Sequence, residues 1–169
     1  MKKKSKRLLH EILGLLLRAG WTVLTVIAVF VLMIGVHINK GSGMSPSFKN
    51  KDIVIFYRLS KGFESGDVVV YLDSSGNKIL GRVVAVSGDT VDITGEGLKI
   101  NGYFKEERYT SGEILLSETG TEFPLTVPNE SYFILSDDRS EAADSRLFGT
   151  ISASDIKGRA ILTIRSRDF

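Results

Sequence analysis

From Ala19 to Val36 the chain carries no charged side chain, and Leu, Val, Ile, Ala and Phe fill most of the run. Eighteen residues at about 1.5 Å each reach about 27 Å, close to the hydrocarbon thickness of a bilayer. Leu13 to Leu17 extends the apolar stretch toward the amino terminus. Arg18 interrupts it only where a long cationic stem can snorkel to the headgroups. Ahead of the run, Met1 to Arg7 holds five lysines and arginines and no acid. These features predict a basic cytoplasmic terminus over residues 1–12, an uncleaved membrane anchor over 13–37 and an extracytoplasmic domain over 38–169. A cleaved secretory signal is the competing reading, but the apolar stretch is long and no Ala-x-Ala-like exit follows it.

Residues 1–20 contain six Lys/Arg and one acid, a net of +5, whereas the whole chain of 169 residues is +2. The remainder is therefore −3. The positive charge is topogenic, and the outer domain has no basic excess to attract nucleic acid. There is no cysteine, so the domain folds on its core without disulfides. Two histidines and no cysteine leave no recognisable metal-ligand spacing, and no cofactor is expected.

Beyond Phe48 the pattern turns strand-like. Asp52 to Tyr57 and Val68 to Leu72 are β-branched and aromatic runs, and Lys78 to Val86 returns after the turn cluster Asp73-Ser74-Ser75-Gly76-Asn77. Asn101-Gly102, set between Leu98-Lys99-Ile100 and Tyr103-Phe104, is a strong hairpin signal. Thr90 to Ile93, Ser131 to Leu135 and Arg159 to Ile164 complete the expected strands. The reading is a mainly β, antiparallel domain behind a transmembrane helix, with residues 110–126 as an exposed polar excursion.

Several segments together resemble the type I signal peptidases, peptidase family S26. Lys40 to Phe48, Lys-Gly-Ser-Gly-Met-Ser-Pro-Ser-Phe, is similar to that family's nucleophile motif, in which a serine precedes Met-x-Pro. Ile79-Leu80-Gly81-Arg82-Val83-Val84 is similar to its general-base strand, in which a lysine precedes the arginine. Gly66-Asp67-Val68-Val69, Val83 to Val91, Ile100-Asn101-Gly102, Tyr132 to Arg139 and Asp144-Ser145-Arg146-Leu147-Phe148-Gly149 follow in the family's order. The resemblance implies a signal-peptidase-like β domain at the outer membrane face and a Ser/Lys dyad, with the lysine held neutral by an apolar site.

The dyad residues are absent here. Gly43 stands at the nucleophile position and Gly81 at the general-base position; Ala142 stands where a serine orients the base. Ser42 and Ser45 flank the lost nucleophile, but an extended backbone turns Ser42 away and puts Ser45 about 6–7 Å along the chain. Lys40 and Lys78 have the wrong parity. Catalytic residues are therefore expected to be none. Asp144 and Arg146 read as a structural ion pair, and Gly41, Ser42, Gly43, Met44, Gly81 and Arg82 as the candidate peptide groove, with open space where the lysine was lost.

The resemblance is nearest to streptococcal signal-peptidase-like proteins that lack both dyad residues and are required for sortase-dependent pilus assembly. It implies a non-catalytic chaperone or scaffold with extracytoplasmic clients, pilin precursors and sortase among its partners, and the bilayer as a partner through residues 13–37. Two alternatives stay open: an active signal peptidase cleaving exported preproteins with a relocated nucleophile, and an engineered inactive variant of a true peptidase.

Overall fold

The structure, a computed structural model, describes residues 2–114, 120–141 and 143–166, with side chains from residue 10 onward. The chain divides into two units, Met1–Ile34 and Gly35–Phe169. The first is helix α1, Lys2–Met33. From His10 to Met33 none of its side chains is buried, and that stretch is long and apolar enough to cross a membrane. Its two threonines bond back to carbonyls one turn earlier, Thr22 to Arg18 at 2.9 Å and Thr25 to Trp21 at 2.8 Å. No hydroxyl in the apolar run is left for lipid to solvate.

The helix ends four residues before the expected anchor boundary. Ile34–Ile38 is strand β1, not the last turn of a span. The alternation Ile34-Gly35-Val36-His37-Ile38 satisfies a period of two, and β1 joins the edge of the domain's larger sheet. The rest of that sheet is β2 (Ile53–Tyr57), β3 (Val68–Leu72) and β4 (Lys78–Val86), with later strands of the chain. A smaller sheet follows from β5 (Thr90–Thr94), β6 (Gly97–Ile100), β7 (Tyr103–Phe104) and β8 (Leu125–Thr126). The chain then returns through β9 (Ser131–Leu135), helix α2 (Ser145–Phe148), β10 (Ile151–Ser152) and β11 (Ile156–Ile164). Strand order is β1-β2-β11-β3-β4-β9-β10 in the large sheet and β7-β6-β5-β8 in the small one. Every pairing between neighbouring strands that has a defined register is antiparallel.

Turn chemistry sets the registers. Asp73 accepts from the backbone of Ser75 and Asn77, each at 2.8 Å, and closes the β3–β4 hairpin. Asn101 and Gly102 both take positive φ, 54° and 83°, as a two-residue β6–β7 turn requires. One core cluster lies where β4 and β9 meet the small sheet, around Val84, Val91, Leu98, Phe133 and Leu135. The excursion expected over 110–126 is not simply exposed. Ile114, Phe123 and Leu125 pack against that cluster. Thr121 caps α2, its amide donating to the Arg146 carbonyl at 2.7 Å and its hydroxyl to the Ser145 carbonyl at 2.8 Å. Residues 115–119 of that segment lie outside the described residues.

Asp144 caps α2 and pairs with Arg146, and both side chains are fully buried. Replacing Arg146 with methionine leaves the Asp144 carboxylate uncompensated, a cost of about 3–5 kcal/mol. We expect Arg146→Met to lower the thermal unfolding midpoint by roughly 10 °C or more. An unchanged midpoint would show that the pair does not hold the domain together.

Candidate functional site

The segment Gly41 to Phe48 is a compact turn, pinned at both ends. The Gly41 amide donates to the Asn50 side chain at 3.1 Å, and the Phe48 amide to the Met44 carbonyl at 2.8 Å. Met44, 2% exposed, anchors it in a core cluster with Val54, Phe56, Val70 and Leu80. The Gly43 carbonyl accepts from the Asp138 amide at 2.9 Å, and the Ser45 carbonyl from the Ser111 hydroxyl at 3.1 Å. The nucleophile position is thus tied to the loop that leaves β9.

That loop is held by buried guanidinium–carboxylate pairs. Arg82 grips Asp137 with two bonds, Nε to Oδ1 at 2.7 Å and Nη2 to Oδ2 at 2.6 Å, and also reaches the Gly66 carbonyl at 2.9 Å. Its guanidinium lies over the Tyr109 ring, 4.0 Å from the centroid. Arg146 holds Asp144 at 2.9 and 2.7 Å and donates to the Arg139 carbonyl at 2.6 Å and to the Glu141 carbonyl. The Asp144 carboxylate also accepts from the Ser136 amide at 3.0 Å. Bidentate pairs of this kind fix orientation as well as charge.

An open cleft of about 940 Å³ lies beside this scaffold. One wall is β1 and the turn after it, from Val36 to Met44; another runs from Asp73 to Leu80; Ser136, Glu141, Ala143 and Phe148 close the end. Both strand walls present free edges. β1 is the terminal strand of its sheet. β4 pairs with β9 only from Arg82 to Val86, so Lys78 to Gly81 has no partner strand on that side among the described residues. His37 sits in the first wall, and its pKa is lowered by burial and then by the charges of Lys78 and Lys40. It is a neutral imidazole at neutral pH.

Gly41, Ser42, Gly43 and Met44 line the cleft, as do Lys40 and Lys78. Ser45 does not, and neither do Gly81 or Arg82. Arg82 is committed to Asp137. Gly81 does not leave the expected open space. A Cβ built there would lie 2.5 Å from Ile134 Cγ2 and 2.9 Å from Tyr71 Cε1. Tyr71, 3% exposed, lies on β3 two residues beyond Val69, the strand partner of Gly81, and so on the same face. Its ring and Ile134 fill the direction in which a lysine would project. Burial, with Asp144 and Asp73 adding to it, raises the Tyr71 pKa, so the phenol stays neutral. Gly43 is the opposite case. Among the described residues, a Cβ there meets Ser136 Oγ at 3.6 Å, and Glu141 Cγ and Ser136 Cβ at 4.0 Å, which is ordinary contact. Ala142 lies outside the described residues.

Two residues around Gly43, and Tyr71 beside Gly81, escaped the sequence reasoning. Ser136 and Glu141 face Gly43, and the Ser42 hydroxyl donates to Glu141 Oε1 at 3.4 Å. Ser136 had a legible signal, because it replaces the glycine of the Gly-Asp-Asn-Arg pattern. Glu141 and Tyr71 had none, since their roles depend on which side chains the fold brings together.

The profile of the family described as signal peptidase, peptidase S26, matches residues 12–164. Signal peptidase I P of Bacillus subtilis subsp. natto is 30% identical over 134 residues, covering 72% of each chain. Signal peptidase I U of Bacillus subtilis (strain 168) is 32% identical over 130 residues, covering 70% of this chain and 69% of its own. A crystal structure of a signal peptidase I from Enterococcus faecalis V583 is 26% identical and covers 59% of this chain and 97% of its own, with a TM-score of 0.47. The chain belongs to the signal peptidase family S26.

Proposed function

We propose that this chain is a membrane-anchored, non-catalytic signal-peptidase-like protein that holds extended segments of exported proteins outside the membrane. The observation that carries the reading is glycine at both dyad positions, with Gly81 sealed beneath Ile134 and Tyr71. Removing the nucleophile or the base of a serine protease costs about a millionfold in turnover. Packing that excludes a lysine side chain goes further, because it leaves no place from which a base could act on residue 43.

The cleft supports a binding role. It is bordered by two strand edges without a further partner among the described residues, β1 and Lys78 to Leu80, and strand addition uses backbone groups that need no Ser or Lys side chain. Val36, Ile38, Met44, Leu80 and Phe148 supply apolar wall, and Ser42, Ser136 and Glu141 supply acceptors around Gly43. By resemblance to the streptococcal proteins without a dyad, the client class is pilin precursors, with sortase as a working partner.

One observation favours a second reading. The Ser42 hydroxyl bonded to Glu141, and the Ser136 hydroxyl near Gly43, place two potential nucleophiles at the old site. An active peptidase with a relocated serine would use one of them.

Purified full-length protein is expected to give no cleavage of a signal-peptide substrate above background. Turnover that Ser42→Ala or Ser136→Ala abolishes would establish the second reading and overturn the first. The packing makes a further prediction. Gly43→Ser should unfold within about 0.5 kcal/mol of the parent. Gly81→Ala should cost about 1–3 kcal/mol through overpacking, and Gly81→Lys at least as much. If Gly81→Lys is as stable as the parent and, combined with Gly43→Ser, restores cleavage, the site is a dormant peptidase and not a closed one. For topology, protease added to intact protoplasts should remove the domain from Gly41 onward, and full protection would reverse the orientation.

A further inference from the structure

Among the described residues, five titratable side chains line the cleft: His37, Lys40, Asp73, Lys78 and Glu141. Lys40 follows β1 and Lys78 opens β4, so their two ammoniums come from different walls. Both side chains are exposed, and neither forms an ion pair among the described residues. His37 on β1 lies within electrostatic reach of both. After burial, the causes that lower its pKa are the charges of Lys78 and Lys40, and no carboxylate offsets them. The Asp73 carboxylate is turned into its own hairpin. Its Oδ1 accepts from the Ser75 and Asn77 amides at 2.8 Å each, and its Oδ2 from the Asn77 side chain at 3.2 Å. The wall at His37 therefore lies in a positive field.

The closed end around Gly43 has the opposite character. Ser42, Ser136 and Glu141 gather there. The Glu141 carboxylate accepts from the Ser42 hydroxyl at 3.4 Å, a long bond, and forms no ion pair among the described residues. The nearby guanidiniums are spent otherwise: Arg139 is paired with Glu107, and Arg146 with Asp144. Position 43 leaves space in front of these groups, since a Cβ there meets nothing described closer than 3.6 Å. A carboxylate only accepts, and each hydroxyl has lone pairs to spare, so a cation with several N–H donors is the complement this end lacks. The lining is thus polarised. Two unpaired cations stand by β1 and the start of β4, and one unpaired anion stands by Gly43.

We propose that the cleft selects its client by charge pattern: an extended segment that sets a carboxylate side chain by Lys40 and Lys78 and an ammonium or guanidinium side chain against Glu141 beside Gly43. The inference rests on the cleft holding an added strand, and it names what that strand must carry. Backbone pairing along β1 and Lys78 to Leu80 is blind to sequence, so the side chains of the lining supply the choice. Charge serves that choice twice. The right pattern is attracted at both places, and the reversed pattern meets like charges at both.

The test uses dye-labelled Thr/Val peptides in three patterns: Glu then Lys, Lys then Glu, and Gln at both places. Each pattern is made with the two residues an even number of positions apart, so that both side chains leave one face of the strand. Binding to the full chain in neutral detergent micelles is read by fluorescence anisotropy. One charge order should bind about fivefold more tightly than the reverse order and than the Gln peptide, with the advantage shrinking as salt is raised. Reversing the lining with Lys40→Glu, Lys78→Glu and Glu141→Lys should transfer the preference to the other order, while the unfolding midpoint stays that of the parent. Equal binding of all three patterns would overturn the charge selection and leave the strand-binding cleft standing, whereas binding of none would sink both. A preference that survives the triple reversal would put the selecting charges elsewhere and overturn the proposal. So would a dimer of the chain that no peptide dissociates, because a second copy would then occupy the cleft.

Discussion

Arg146 is the largest of the fully buried side chains among the described residues, and it is tolerable there only because Asp144 is buried with it. The pair does more than cancel charge. Arg146 also binds the carbonyls of Arg139 and Glu141, and Asp144 binds the amides of Ser136 and Arg146. One ion pair thus fixes the path of the chain from the end of β9 to the start of α2. That path presents Ser136 and Glu141 to Gly43, and it donates the Asp138 amide to the Gly43 carbonyl. Removing a lone partner from such a buried pair is far costlier than the net worth of the pair itself.

Arg82 and Asp137 do the same work one strand away. The guanidinium of β4 joins the carboxylate at the end of β9 and reaches the turn ahead of β3 through the Gly66 carbonyl. The two pairs bracket Gly81: one lies on its own strand, and the other sits past Ile134, which covers it.

Much of the architecture was legible from the chain. The turn Asp73 to Asn77 and the pair Asn101-Gly102 announce their hairpins by local chemistry, and the runs Val68 to Leu72, Lys78 to Val86 and Ser131 to Leu135 recur as strands with the same bounds. β1 was not legible, since an alternating apolar pentapeptide joined to an apolar helix looks like more helix until β2 is there to pair with it. The excursion near 110–126 misled for a related reason. Its polar composition hides Ile114 and Phe123, which matter only because Phe133 and its neighbours meet them in space. The identity of Gly81 was visible in the sequence, but its burial was not: what packs against that position depends on the rotamers of Tyr71 and Ile134, on two other strands.

The two glycines sit in different surroundings. Position 43 faces the cleft, and among the described residues a side chain there would meet the ends of Ser136 and Glu141. A small side chain at such a place perturbs little else, and the neighbouring Ser42, Ser136 and Glu141 keep the spot polar. Position 81 belongs to the core. A lysine there would have to stay neutral in an apolar site, at a desolvation cost that glycine avoids. The Tyr71 ring and the β-branched Ile134 occupy the direction in which it would project, and their packing is favourable in its own right. A residue that faces the cleft can change size without disturbing its neighbours, whereas one in the core cannot. The cleft walls rest on strand edges and ion pairs, so they do not depend on which side chain stands at position 81.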